Sequence, residues 1–331
     1  MHRLLGLLLL VASLAAGWLW IDFREFRDAP LAIAPEGLVH TLPPGGSAAS
    51  LARDLAAAGV LDRPLYFRVL ARLDPRSRRL QAGEYRIEAG TTPGGLLALF
   101  SSGRVIQYPV TLIEGWTFRQ VLDALAGLEY LEQTLSGTSD AAIMARLGRP
   151  DLHPEGRFLP DTYLFPRGTP DVQVLQRALA AMDEVLAAEW AQRGPDLPLG
   201  SPDEALVLAS IVEKETGLAE ERAAIAGVFV RRLRKGMLLQ TDPTVIYGLG
   251  EAFDGDLRRR DLSADTPYNT YVHPGLPPTP IAMPGRDSIR AALHPADGAS
   301  LYFVARGDGS HQFSTTLQEH NRAVRKYQLK R

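Results

Sequence analysis

Residues 201–217 read Ser201-Pro202-Asp203-Glu204-Ala205-Leu206-Val207-Leu208-Ala209-Ser210-Ile211-Val212-Glu213-Lys214-Glu215-Thr216-Gly217. Ser201 and Glu204 have capping-box spacing, Pro202 stands at the first helical position, and Gly217 supplies a stop. Both ends of a helix are therefore marked. At about 100° per residue, Val207, Leu208, Ile211 and Val212 gather on one side. Glu215 projects along the middle of that apolar stripe, and Glu213 points almost the opposite way. An ionised carboxylate on a buried face is costly, so Glu215 either finds a partner, frays into solvent at the helix end, or has its pKa raised. A carboxyl kept neutral near pH 7 is what protonation of a glycosidic oxygen requires.

Downstream, a second helix over about 219–235 carries Ile225, Val228 and Phe229 and ends in Arg231, Arg232, Arg234 and Lys235 before Gly236. Those bases suit the negative end of a helix and read as a solvated face. Next comes Leu239-Gln240-Thr241-Asp242-Pro243-Thr244-Val245-Ile246-Tyr247-Gly248, where Asp242 can cap and Pro243 can start a short helix. Gln240, Thr241 and Tyr247 add hydrogen-bonding groups without an evident core role. Pro267-Tyr268-Asn269-Thr270-Tyr271 then leads into HPGLPPTPIAMPG, residues 273–285, with five prolines and two glycines in 13 positions. Such a run is a stiff, irregular wall rather than an element. Its amides, hydroxyls and tyrosine rings suit a sugar polymer, and a purely structural loop is the plainer alternative.

Upstream, residues 4–21 form an uncharged apolar run of 18, LLGLLLLVASLAAGWLWI, with Trp18 and Trp20 at one end. As a helix it rises about 27 Å, close to the hydrocarbon thickness of a bilayer. Small residues around Ala15 also fit a cleaved signal peptide. The length of the run and its tryptophan end favour a retained anchor, and Arg3 before it places the body outside the cytoplasm. Residues 23–37 read as a tether. Residues 38–107 show a strand–helix–helix–strand order, a small α+β module. The larger part, 108–331, opens with a strand, continues through helices near 117–126, 139–147 and 171–193, and ends in a hairpin around Gly307-Asp308-Gly309 and a terminal helix.

Hydrophobic residues make up 46% and charged residues 22% of the 331, the balance of a folded body rather than a disordered or polytopic chain. Lys+Arg at 36 against Asp+Glu at 38 leaves −2, which argues against a nucleic-acid partner. There is no cysteine, which excludes disulfides, Cys-ligated zinc, iron–sulfur clusters and a thiol nucleophile, and suits an oxidising compartment. Neither a His-Glu-x-x-His zinc motif, a GxSxG elbow nor a P-loop occurs, and the seven histidines are scattered. Ser210 and Lys214 stand i, i+4, a spacing a peptidase dyad could use, but toward the polar side and with no oxyanion signature. A metal-free, cofactor-free site is expected.

The blocks Ala209–Thr216, Leu239–Gly248, Tyr268–Tyr271, Gly275-Leu276-Pro277-Pro278 and Leu301–Ala305 resemble, in order, those of the endolytic murein transglycosylases of the MltG (YceG-like) family. So do Glu114-Gly115, Glu155-Gly156 and Leu159-Pro160-Asp161-Thr162-Tyr163. The resemblance covers essentially the whole chain. It implies an α+β protein with a transmembrane anchor (1–22), the tether (23–37), a LysM-like module (38–107) and a mixed α+β catalytic domain (108–331) with lysozyme-like site motifs. It further implies a bacterial inner-membrane enzyme with a periplasmic body. Such an enzyme cuts nascent glycan strands between N-acetylmuramic acid and N-acetylglucosamine and leaves 1,6-anhydro ends. Glu215 is the implied proton donor, because Glu215-Thr216 is similar to the Glu-Ser pair of lysozyme-like transglycosylases. Gln240, Thr241, Asp242, Tyr247, Tyr268, Asn269 and Tyr271 are implied glycan contacts, with Glu213, Glu155 and Asp161 as secondary acids. Peptidoglycan strands are the implied ligand and peptidoglycan synthases are plausible partners. A non-catalytic peptidoglycan-binding scaffold is the alternative.

Overall fold

The computed structural model describes residues 2–329. The chain divides into two compact units. One runs through Tyr108 and takes in Leu164–Gly168, and the other comprises Pro109–Tyr163 and the chain from Thr169 onward. The elements are α-helices and short strands in mixed order, an α+β arrangement as expected.

In the first unit, α1 (His2–Asp28) is the one helix among the described residues long and apolar enough to cross a membrane. It runs on past the expected span, and the following residues do not form a free tether. Phe26 and Leu31 are buried with the module core, where Phe23 and Ile33 also pack. Strands β1 (Leu38–Leu42) and β2 (Gly83–Ile87) pair antiparallel from Leu38↔Ile87 to Leu42↔Gly83. Gly83 is needed there: its φ is +142°, and a Cβ would sit 2.3 Å from a methyl of Val105.

Between the strands lie α2 (Ala48–Ala57), started by a Ser47–Ser50 capping box, and α3 (Pro64–Leu73). After them α4 (Pro93–Ser102) is capped by Thr92, whose hydroxyl accepts the Gly95 N–H at 3.1 Å. Leu51, Leu55, Phe67, Tyr85, Ile87 and Phe100 make the centre of this core. The Tyr85 hydroxyl donates to the Gln81 carbonyl at 2.8 Å, so a buried polar group is satisfied. On α3 only part of the apolar pattern turns inward. Phe67 is fully buried, whereas Leu73 is 65% and Val69 49% exposed.

Strands β3 (Gln107–Thr111) and β5 (Thr162–Pro166) each contain a boundary between the units. The second unit holds α5 (Phe118–Ala126), α6 (Asp140–Arg146) and two short parallel strands, β4 (Leu131–Glu132) and β6 (Thr169–Pro170). Its core is helical: α7 (Asp171–Ala191), α8 (Pro202–Glu215), α9 (Ala219–Arg234) and α11 (Arg286–Leu293). The short α10 (Asp242–Leu249) follows α9 in sequence. The antiparallel hairpin β7 (Tyr302–Ala305) and β8 (His311–Ser314) and the last helix α12 (Leu317–Tyr327) complete it.

Helix α8 packs against α7, α9 and α11. Every residue from Ala205 to Val212 is buried. The apolar stripe inferred from spacing is thus only part of the truth, since the middle of this helix has no solvent side. Its N-terminus also differs in detail. Ser201 accepts the Glu204 N–H at 3.2 Å, but the Glu204 carboxylate accepts from Gly200, at 2.7 Å, rather than closing a box onto Ser201. At the other end Thr216, in extended conformation, stops the helix, and Gly217 does not adopt a positive φ.

Phe67→Ala should destabilise the first unit by about 3–5 kcal/mol, and Leu73→Ala should change it by no more than about 0.5 kcal/mol. Hydrogen exchange of the β1–β2 amides measures both; equal losses would contradict the packing described.

Candidate active site

Glu215 is the last residue of α8 and reaches the wall of a cavity of about 480 Å³. Glu215, Arg232, Leu239, Gln240, Asp242 and Tyr271 line one side of it, and the opposite side comes from the hairpin and α12. Glu215 is partly buried: its carboxyl is enclosed by protein except where it meets the cavity. The Thr241 hydroxyl donates to Oε1 in a short hydrogen bond, and Oε2 has no partner among the described residues. Burial lifts this carboxyl to about 7. The Thr241 bond opposes the rise, Asp242 adds to it, and the positive fields of His311 and Arg232 oppose it.

The turn before α10 is shaped around that acid. Thr241 occupies the cap position of α10 without capping it, because its hydroxyl is directed to Glu215. Its N–H donates to the Thr270 hydroxyl at 3.1 Å, and the Gln240 N–H donates to the Thr270 carbonyl at 3.1 Å. Gln240 holds φ +49°, a conformation side-chain-bearing residues seldom adopt, and such strain concentrates at functional sites. Tyr271 donates to Asp242 Oδ1 at 2.5 Å, and both side chains face the cavity. Burial, with the Asp242 hydrogen bond, raises the Tyr271 pKa.

Four of the expected glycan contacts meet Glu215 directly or share its cavity: Gln240, Thr241, Asp242 and Tyr271. The others do not. Asn269 is fully buried. Its amide donates to the carbonyls of Asp261, Leu262 and Ala264, and its oxygen accepts the Tyr271 N–H. Both amide hydrogens and one oxygen lone pair are engaged in folding the loop, and the side chain is buried away from the cavity. Tyr268 packs its ring against Tyr247 at 4.9 Å and shares a hydrogen bond with Thr279. Tyr247 donates to Glu155 at 3.1 Å.

Glu155 is a second protonatable acid. Burial raises it to about 7, against the Phe118 N–H at 3.0 Å and the Tyr247 hydroxyl. It seals the start of α5 and does not line the cavity. Asp161 is exposed, and its carboxylate accepts its neighbour's N–H, from Thr162, at 2.6 Å. Glu213 points away from Glu215 as expected, but into protein: its side chain is 6% exposed and accepts the Gly285 N–H at 2.9 Å, near Arg222. The middle of α8 is buried all round, and beyond it Glu213 and Glu215 both meet protein while Lys214 between them is exposed.

The peptidase pairing fails on the same geometry. Ser210 is buried, donating to Val207 and accepting from the Ile281 N–H, while Lys214 donates to the Gly115 carbonyl. Residues 281–285 of the proline-rich run are core rather than groove wall.

The arginine cluster of α9 has the composition of a solvated face, but Arg232 is buried. It is 7% exposed, donates to the carbonyls of Leu239 at 2.8 Å and Leu301 at 2.7 Å, and lies 5.0 Å over the Tyr302 ring. One guanidinium thereby joins both sides of the cavity. Two of the scattered histidines also converge there. His311 Nδ1 lies 2.6 Å from Glu221, which also accepts the His311 N–H at 3.0 Å. His320 stacks on Tyr302 at 5.3 Å, and burial lowers its pKa. The hairpin turn at Gly307-Asp308-Gly309 is legible in the sequence and sets the β7–β8 register, but which strand face meets α9 and α12 is a tertiary matter.

In the native state Glu215 and Glu155 hold protons up to about pH 7, whereas the unfolded chain releases them near 4.5. The native state therefore binds more protons between those values, and stability falls as pH rises through them. Glu215→Gln should raise the unfolding temperature at pH 8, by on the order of 2 kcal/mol of stability, and should not do so at pH 4. Thermal unfolding at both pH values checks this, and a pH-independent difference would contradict the burial argument.

The sequence model of the YceG-like family matches residues 40–326. An endolytic murein transglycosylase of Bacillus subtilis is 32% identical over 303 residues, covering 86% of this chain and 83% of the relative. The endolytic murein transglycosylase of Streptococcus pneumoniae serotype 2 is 27% identical over 97% of this chain, which spans 64% of that longer protein. A crystal structure of a YceG-like protein from Listeria monocytogenes superposes with a TM-score of 0.54 at 29% identity. That match covers 87% of this chain and 99% of the Listeria chain. With the family match running from β1 to the last helix, this chain belongs to the YceG-like family.

Proposed function

We propose that the chain is an endolytic peptidoglycan lytic transglycosylase with Glu215 as its acid–base group. The observation that carries this reading is a carboxyl raised to about 7 on an open cavity, with one oxygen tied by Thr241 and the other unpartnered. An acid of that kind is poised to give and retake a proton near neutral pH.

Protonated Glu215 gives its proton to the glycosidic oxygen leaving C1 of N-acetylmuramic acid, and positive charge develops at C1. The carboxylate then takes the proton of the sugar's own C6 hydroxyl as that oxygen closes onto C1, which yields the 1,6-anhydro end. The internal hydroxyl replaces water, so the second carboxylate of a hydrolase is not needed. Gln240, Asp242 and Tyr271 orient the glycan on one side. On the same side, Arg232 ties that wall to the hairpin and adds positive charge that steadies the carboxylate between the two steps.

The names of the relatives support the substrate and the reaction, and the apolar α1 supports single-pass anchoring in the inner membrane with a periplasmic body. Residues 38–107 act as the LysM-like glycan-contacting module, and synthases of the same polymer are the partners that cleavage of nascent strands calls for.

Glu215→Gln should lower the release of anhydro-ended fragments from purified sacculi by about 10²–10⁴-fold while leaving the fold intact. Mass spectrometry of the products reads this, and anhydro ends made at the wild-type rate would end the assignment. Reducing ends in place of anhydro ends would make the reaction a hydrolysis. Because the donor must be protonated, kcat should fall as pH rises above about 7, following the Glu215 value. A rate that keeps rising to pH 9 would exclude Glu215 as the acid.

A further inference from the structure

Helix α3 carries an apolar stripe that the described residues leave about half or more open to solvent. Leu65, Val69 and Leu73 recur at i, i+4 and i+8 and span about 80° of the helix surface. They are 69%, 49% and 65% exposed, although Phe67, Leu70 and Ala71 on the other face are core. Solvated apolar rows of this kind mark a surface that meets something else.

Two neighbours of the stripe say what that is. On one edge Tyr66 continues the arc and joins α3 to the outer end of the apolar α1. Its hydroxyl donates to Asp22 at 2.7 Å, and Arg63 donates to the same carboxylate at 2.8 Å. The Tyr66 ring lies 5.9 Å from Phe23 and 5.6 Å from Phe26, and Phe23 stacks on Trp20 at 6.3 Å. An aromatic series thus runs from the interfacial tryptophan of α1 to the stripe. On the other edge stand arginines. Residues 63–79 contain six of them and a single acid, Asp74. Arg63 is paired with Asp22 and Arg76 with Asp74. Arg68, Arg72, Arg78 and Arg79 are exposed and have no ion pair among the described residues. A short helix with an apolar row, a basic edge and an aromatic link to a membrane span has the make-up of an interfacial helix.

We propose that α3 lies in the headgroup layer of the bilayer that takes α1, with Leu65, Val69 and Leu73 in the acyl boundary and the free arginines on anionic lipid phosphates. The anchor and module are then held as one body at the membrane surface, with no slack between them. The proposal rests on the reading of α1 as a membrane span.

The absence of cysteine makes the test direct, because single cysteines can be introduced into the full chain. Val69→Cys and Leu73→Cys are labelled with an environment-sensitive fluorophore. Ala49→Cys, exposed at the start of α2, is the control, and Leu10→Cys reports insertion of α1. Each protein is reconstituted into phosphatidylcholine vesicles with and without phosphatidylglycerol, carrying lipids spin-labelled near the headgroup or deep in the chains. Labels at 69 and 73 should be quenched by the shallow lipids when phosphatidylglycerol is present, and the label at 49 should not. Arg68→Gln and Arg72→Gln should each weaken the docked population by about fivefold, and high salt should do the same.

Solvent-like emission at 69 and 73 in both vesicle types would overturn the proposal. So would shielding that ignores lipid charge and grows with protein density, which would assign the stripe to a second copy. Absence of deep quenching at position 10 would instead mark failure of the anchor reading.

Discussion

The site depends on a carboxyl at the end of a helix whose middle has no solvent side. Helix α8 is buried from Ala205 to Val212, and in its last turn Glu213 and Glu215 are held against protein while Lys214 between them is exposed. Each acid therefore requires a polar shell built from elsewhere in the chain. Glu213 takes the Gly285 N–H with Arg222 nearby, and Glu215 takes the Thr241 hydroxyl. The strained turn at Gln240, the uncapped start of α10 and the inward amide of Asn269 all follow from holding Thr241 and Tyr271 beside that carboxyl. Local helix stability is lowered at Thr241 so that a distant acid is served.

Burial alone does not make a reacting group. Glu155 and Glu215 are both raised to about 7 by desolvation, yet they stand in different situations. Glu155 is 3% exposed and accepts from Phe118 and Tyr247, which closes it inside the fold. Glu215 keeps one oxygen unpartnered on a cavity. A proton held near neutrality is useful only where a second molecule can reach it, and access separates the two acids. Arg232 adds a further element. Its guanidinium ties Leu239 to Leu301, so one buried side chain both joins the cavity walls and adds, with His311, to the field that lowers the Glu215 pKa.

Much of this was legible in local signals. The bounds of α8, the β7–β8 hairpin, the strand–helix–helix–strand order of the first unit and the apolar α1 all follow from capping residues, turn glycines and hydrophobic period. Gln240, Thr241 and Asp242 came into view as polar residues of the Leu239–Gly248 block that resembles the family's. What local signals leave open has one cause. The apolar period of α3 includes Val69 and Leu73, but period alone does not say how wide the covered face is. Asn269 and Tyr268 have the chemistry of glycan contacts, yet their polar atoms are engaged by Ala264 and Thr279. Arg232 has the composition of a solvated helix end, and its neighbours from the hairpin bury it.

The sequence by itself determined that helices lie in these stretches, that an acid stands at the last turn of α8, and that a membrane-length apolar segment precedes the folded part. Those are properties of residues a few positions apart, carried by backbone hydrogen bonding and side-chain period. Only the tertiary structure decided that Glu215 opens on a cavity while Glu155 is sealed, that His311 and His320 complete the far wall, and that Arg232 ties it to the near one. Desolvation and access are set by whatever packs against a side chain from distant segments, here α9, the hairpin and α12. No spacing within α8 encodes them.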